Sequence, residues 1–217
     1  YGAVEAAERG ARVGLVIVPD EETGGRLGSE RLAALGRLDA EAVGAIVAEP
    51  TWGTIWHACR GAFTLEVTVR GLAAHVGLHY EGRNAFDEAV ALVAQLGPLQ
   101  DTLSERRSEL RFASTDPRAA ESILLVGGMA QGGTGFNIVP DRFTFTLDRR
   151  PNPEEDYDVA KRELVEVLEA AAALGIELEW EVLQDARSAI APADGPLVCA
   201  LAGAVETATG ARPSVTC

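Results

Sequence analysis

No apolar stretch in this sequence approaches the roughly 18 residues that a membrane-spanning helix needs, so no membrane span is expected. Basic residues are also scarce, 19 Lys and Arg against 33 Asp and Glu, a formal net charge of −14. That balance excludes a nucleic-acid binder, which needs clustered cations along the phosphate backbone. There are three cysteines, Cys59, Cys199 and Cys217, far apart and without metal-ligand spacing. A reduced, cytoplasmic setting is the expectation. Cys59 near His57 is no credible nucleophile pair, and no G-x-S-x-G elbow exists. The glycine-rich "GGMAQGGTG" lacks the Lys-Ser/Thr of a phosphate loop. The first residue is Tyr1 rather than Met, and both ends read as cuts through secondary structure. What is present is a 47% hydrophobic chain of 217 residues, enough for a real core in one large domain or two small ones.

The apolar pattern divides the chain. "VGLVIV" at 13–18 and "VGAIVA" at 43–48 are continuous apolar runs, as parallel strands covered on both faces would be. Ser29 is a plausible N-cap for a helix between them, reaching Leu38. From about residue 59 the character changes. "FTLEVTV" puts Phe63, Leu65, Val67 and Val69 on one face, and Thr64, Glu66 and Thr68 on the other. A helix from about Asn84 to Leu96, a polar connection over 101–118, and strands at 122–129 and 142–148 follow. A second helix opens at Pro153 with its following acids and reaches Leu174, and "IELEWEVL" at 176–183 alternates again. The order β-α-β-β-α-β is that of a ferredoxin-like module, a sheet with helices on one face and water on the other. Asp194 and Pro196 open a last helix that stops at Gly210, before a strand beginning in "ARPSVT". The predicted fold class is α/β. Residues 1–58 and 188–217 form part of an α/β domain interrupted by the ferredoxin-like insertion at 59–187.

Acids stand at the ends of both predicted parallel strands, where open sheets bind ligands. Glu22 and Glu49 would converge there, and two carboxylates do so stably only around a proton or a cation. A metal suits them, and the neighbouring Glu21 is then placed to act as a general base on water. The alternative for "DEET" is a solvated acidic turn that caps a helix.

"PDEETGG" at 19–25, "AEPT" at 48–51, "RGLAAHVGLHYEGRNAF" at 70–86, "GGTGFNIVPD" at 132–141 and "LDRRPNPEED" at 147–156 together resemble one family in order and spacing. It is the co-catalytic zinc peptidase and deacylase family. Its members include acetylornithine deacetylase, succinyl-diaminopimelate desuccinylase, aminoacylase and the glutamate carboxypeptidases. Tyr80 departs from the pattern, since a proline often stands in that turn. The resemblance implies a zinc-binding catalytic α/β domain with an inserted ferredoxin-like lid that makes a homodimer. It further implies Glu21 as general base, Glu22 as ligand of one zinc and Glu49 as ligand of the other. His75 would be the lid histidine that reaches the partner subunit's site and polarises the scissile carbonyl. Asn137 and Arg150 would hold the substrate carboxylate and the intermediate. For Arg150 the rival reading is a surface ion pair, for Asn137 a turn, and His57 and His79 read as structural.

The same resemblance implies two zinc ions per full-length subunit, with Co or Mn as substitutes. The family's other metal ligands lie upstream of "DEE" and downstream of the lid, so the site in this chain is expected to be incomplete. The expected reaction is removal of an N-acyl group from a small N-acyl amino acid. The alternatives are a carboxypeptidase or dipeptidase of the same family or, for the chain as it stands, a non-catalytic dimerisation fragment.

Overall fold

The computed structural model describes residues 8, 10, 12–21, 24–38 and 42–217. The chain forms two compact units, Tyr1–Glu49 and Pro50–Cys217. In the first, helix α1 covers Ser29–Ala34. Its cap is Gly28 rather than Ser29, with no side-chain cap bond, and the turn before it is held from further upstream. The Oδ2 of Asp20 accepts the backbone N–H of Leu27 at 2.7 Å and of Gly28 at 3.2 Å. A Cβ on Gly28 would stand 2.3 Å from the Asp20 Oδ1 and 2.6 Å from the Val18 Cβ, so only glycine admits this approach. The first acid of "DEET" therefore fixes the turn that leads into α1.

The runs at 13–18 and 43–48 form no β-ladder among the described residues, contrary to the pattern reading. Ile17 is 82% and Val43 95% exposed. An apolar run records what a strand would bury. The strand itself exists only where a neighbouring backbone takes up its N–H and C=O groups.

The second unit contains the ferredoxin-like module. Its strands are β3 (Ala62–Arg70), β4 (Ile123–Gly132), β5 (Arg142–Arg150) and β6 (Leu178–Ala186), in the antiparallel order β4-β5-β3-β6. Helices α2 (Ala85–Glu105) and α3 (Tyr157–Ala173) supply their apolar sides to the core of this sheet. As the alternation requires, Phe63, Leu65, Val67 and Val69 are buried with Leu92, Leu96, Leu147, Leu164 and Leu168. The opposite face carries Glu66 between Thr146 and Glu181, and Thr68 between Thr144 and Glu179.

Two helix boundaries differ from expectation for physical reasons. α2 continues through Pro98, because Leu99 and Leu103 extend the stripe of Leu92 and Leu96 into the core. Burying each leucine is worth about 1.5–3 kcal/mol, enough in sum to offset the roughly 3 kcal/mol penalty of an interior proline. α3 starts at Tyr157 instead of Pro153. Asp156 caps it by accepting the Val159 N–H at 3.0 Å, and Glu155 is drawn away to a buried arginine.

Beside this module lie β1 (Thr54–Trp56), β2 (Ala58–Cys59), β7 (Ala189–Ile190), α4 (Pro196–Thr209) and β8 (Ser214–Thr216). β1 pairs with β8 in parallel, β2 with β7 antiparallel. Ile55, Val198 and Ala202 form a small second core. α4 ends at Gly210 in the left-handed conformation (φ 76°), which glycine adopts without steric penalty. No helix among the described residues is long and apolar enough to cross a membrane.

Candidate functional site

His75 lies in the loop between β3 and α2, and Asn137 in the loop between β4 and β5. Backbone bonds zip the two loops together. The Gly71 N–H donates to the Asp141 carbonyl at 2.7 Å, Val139 to Ala74 at 2.8 Å and Val76 to Asn137 at 2.8 Å, with a β-bridge between His75 and Ile138. His75 then caps the 3-10 helix Val76–Glu81, its Nδ1 accepting the Gly77 N–H at 3.1 Å.

That single bond selects the ring's tautomer. A neutral imidazole with Nδ1 as acceptor carries its proton on Nε2. Nε2 lies 3.5 Å from the Asn137 Nδ2. As the amide is oriented, both atoms are donors, and they stand side by side on an exposed surface. An oxygen arriving between them would meet two N–H groups already in position. A half-turn of the amide would instead place its Oδ1 against the imidazole.

Arg150 does not join this pair. It closes β5 at the end opposite Arg142, which follows the Asn137 loop. Eight residue steps of strand, about 27 Å, separate it from Arg142. Its Nε donates to both oxygens of Asp148, at 3.0 and 2.9 Å, and Asp148 also accepts from the Thr64 hydroxyl at 2.8 Å. The ion pair foreseen as the rival reading is thus present, while both Nη groups keep no protein partner among the described residues. His57 is structural as expected, its Nδ1 standing 2.6 Å from the Ala191 carbonyl oxygen.

The neighbouring Arg149 is the residue that sequence reasoning passed over. Its side chain is 0% exposed. Nη1 donates to the Ser122 hydroxyl at 2.6 Å and Nη2 to Glu155 at 2.7 Å. Glu155 also accepts the Asn152 N–H at 2.7 Å and the Ser122 hydroxyl, and Arg106 bridges from it to Glu163. Burial pushes the Glu155 carboxyl up, but the bonds from Ser122 and Asn152 and the Arg149 charge outweigh it and hold it below its usual value. Burial likewise lowers the Arg149 guanidinium. The local signal was a doubled arginine in an apolar-alternating strand, of which one member must face inward.

Of the acidic residues, Glu21 and Glu49 are exposed, and Glu22 lies outside the described residues. No group of three or more His, Cys, Asp or Glu among the described residues is arranged to hold a metal. The described residues therefore do not make a zinc centre by themselves.

The remaining feature is a bare edge. β4 is outermost in the sheet, and "ILLVGGMAQG" contains no charge and no proline. Edge strands are normally protected by such residues. The other edge, β6, carries Glu179, Glu181 and Asp185. Between β4 and α2 runs an open groove of about 200 Å³ lined by Phe86, Val90, Val93, Val126, Phe143 and other apolar residues.

The sequence model described as the M20 peptidase dimerisation domain matches residues 57–175, more than half of the chain. The chain belongs to the M20 family of peptidases and desuccinylase-type hydrolases, and it carries that family's dimerisation domain. A probable succinyl-diaminopimelate desuccinylase of Staphylococcus aureus (strain Mu50) is 31% identical in an alignment 145 positions long that covers 60% of this chain and 36% of that protein. The succinyl-diaminopimelate desuccinylase of Corynebacterium glutamicum is 27% identical over 146 residues, 67% of this chain and 36% of its own. The chain thus spans about a third of the length of these curated relatives. Among solved structures, a tripeptidase from Staphylococcus aureus superposes with a TM-score of 0.62 at 18% identity, over 98% of this chain and 52% of that one. The aminobenzoyl-glutamate utilization protein of Klebsiella pneumoniae gives 0.56 at 22% identity, over 88% and 46%. The fold is shared with both.

Proposed function

We propose that this chain is the lid-bearing part of a zinc-dependent amidohydrolase that removes an N-acyl group from an amino acid and works as a homodimer. The observation that carries the reading is the His75–Asn137 pair, an imidazole Nε2–H donor beside a side-chain amide, brought together by backbone bonds on a surface. Such a pair suits the oxygen of a scissile carbonyl, whose negative charge grows as the amide is attacked. Residues 59–187 are the lid. Residues 1–58 and 188–217 are assigned to the catalytic α/β domain; of these, 54–56 and 214–216 are joined by the parallel pairing of β1 with β8.

Zinc, when bound, supplies a strong nucleophile from water at neutral pH. Glu22 and Glu49 would each offer one carboxylate to that metal site, and Glu21 would serve as the general base beside it. Arg150 offers its Nη groups to the substrate carboxylate. Since Arg150 and the His75–Asn137 pair lie at opposite ends of β5, a strand about 27 Å long, no small substrate touches both in one chain. Both roles hold together only where a second copy contributes one of them.

The uncharged β4 edge and the groove beside it provide the face for that second copy, β4 against β4 and α2 against α2. Val90→Asp tests this in the full-length enzyme, assayed with zinc on N-acetyl amino acids. The half-exposed Val90 tolerates the change in the monomer. The dimer dissociates in sedimentation, and hydrolysis is lost with it. A dimeric, active Val90→Asp variant would refute the assigned face.

A further inference from the structure

Phe136 has no counterpart in the roles assigned so far. The residue is 103% exposed, although the backbone that carries it is firmly held. It sits in the turn Gly135–Ile138, closed by the Ile138 N–H to the Gly135 carbonyl at 3.2 Å. Immediately beyond it the chain is bonded to the His75 loop through Val76 and Asn137, and through Ala74 and Val139. The ring belongs to neither hydrophobic core and stacks on no other aromatic among the described residues. A fixed turn thus presents a large apolar side chain to water, one residue from Asn137. Aromatic side chains on a fixed backbone are frequent anchors of recognition when they pack into a pocket or against a ligand.

We infer that Phe136 is a specificity-determining residue of the His75–Asn137 site and packs against the carbon chain of the substrate's acyl group. This rests on the amidohydrolase reading. The carbonyl held by the two donors has two substituents, the acyl carbons and the amide nitrogen of a charged amino acid. Only the first offers apolar surface to a phenyl ring, and the gain grows with each methylene that the ring shields.

The test compares N-acetyl, N-propionyl and N-butyryl derivatives of one amino acid on the zinc-loaded full-length enzyme, with Phe136→Ala and His75→Ala beside the wild type. In the wild type kcat/KM rises about two- to fourfold per added methylene. In Phe136→Ala that ratio collapses to about one, with the loss in KM of the longer substrates. An unchanged ratio in Phe136→Ala, with His75→Ala impaired, overturns this inference alone. So does dissociation of the Phe136→Ala dimer, which would make the ring an interface residue. A wild type inactive on all three substrates, or a fully active His75→Ala, overturns the amidohydrolase reading and this inference with it.

Discussion

His75→Ala in the full-length enzyme lowers kcat by about 10²- to 10³-fold, the loss that follows removal of one oxyanion donor. KM changes little, because the donor matters most when the carbonyl oxygen has gained charge. The assignment depends on the bond from the Gly77 N–H to Nδ1, which leaves the proton on Nε2, beside the Asn137 amide. Truncation also removes that cap, but water replaces it on an exposed loop, so the fold is retained. Circular dichroism and sedimentation should match the wild type, and so should zinc content. A fall in bound zinc would show His75 to be a ligand instead, and an unchanged kcat would remove it from the site.

Glu155→Ala destabilises the second unit by about 3 kcal/mol, near the lower end for a broken buried pair because Glu155 keeps some solvent contact. What remains for the buried Arg149 is the Ser122 hydroxyl and a long contact to the Ile123 carbonyl. At roughly 2–4 °C per kcal/mol for a unit of this size, Tm falls by about 6–12 °C. Glu155→Gln keeps the Ser122 and Asn152 bonds and loses the charge, so its Tm lies between the two. The pH dependence has a definite sign. Because the folded Glu155 carboxyl is held below its unfolded value, its contribution is full above the ordinary carboxylate range and disappears as pH falls through the depressed folded value. Thermal melts from pH 7 downward should show a steeper acid loss in the wild type than in Glu155→Gln. Equal slopes would remove Glu155 from the buried network.

The cation in "DRRP" illustrates how far the sequence could be read. Two successive strand residues must point to opposite faces, so one arginine had to enter the protein. Which acid met it could not be read locally. Glu155 stood among acids that suit a helix start, and only the packed structure shows that Asp156 caps α3 while Glu155 turns back. The motifs brought His75 and Asn137 into one reading by resemblance. Their contact, and the distance to Arg150, came from strand order and loop pairing.

By itself the sequence determined what repeats over a few residues. The alternation of Phe63, Leu65, Val67 and Val69, the helix start at Asn84 and the stop at Gly210 are set by side-chain direction and by the backbone needs of neighbouring peptide groups. Only the tertiary structure decided which runs found partners. "FTLEVTV" became a central strand because β5 and β6 complete its hydrogen bonds, whereas "VGLVIV" makes no ladder among the described residues. The same holds for the bare edge of β4, since an uncharged strand is an interface only when the strand order leaves it outermost. Hydrogen-bond partners remote in sequence leave no local trace, and so pairing is decided by the fold as a whole.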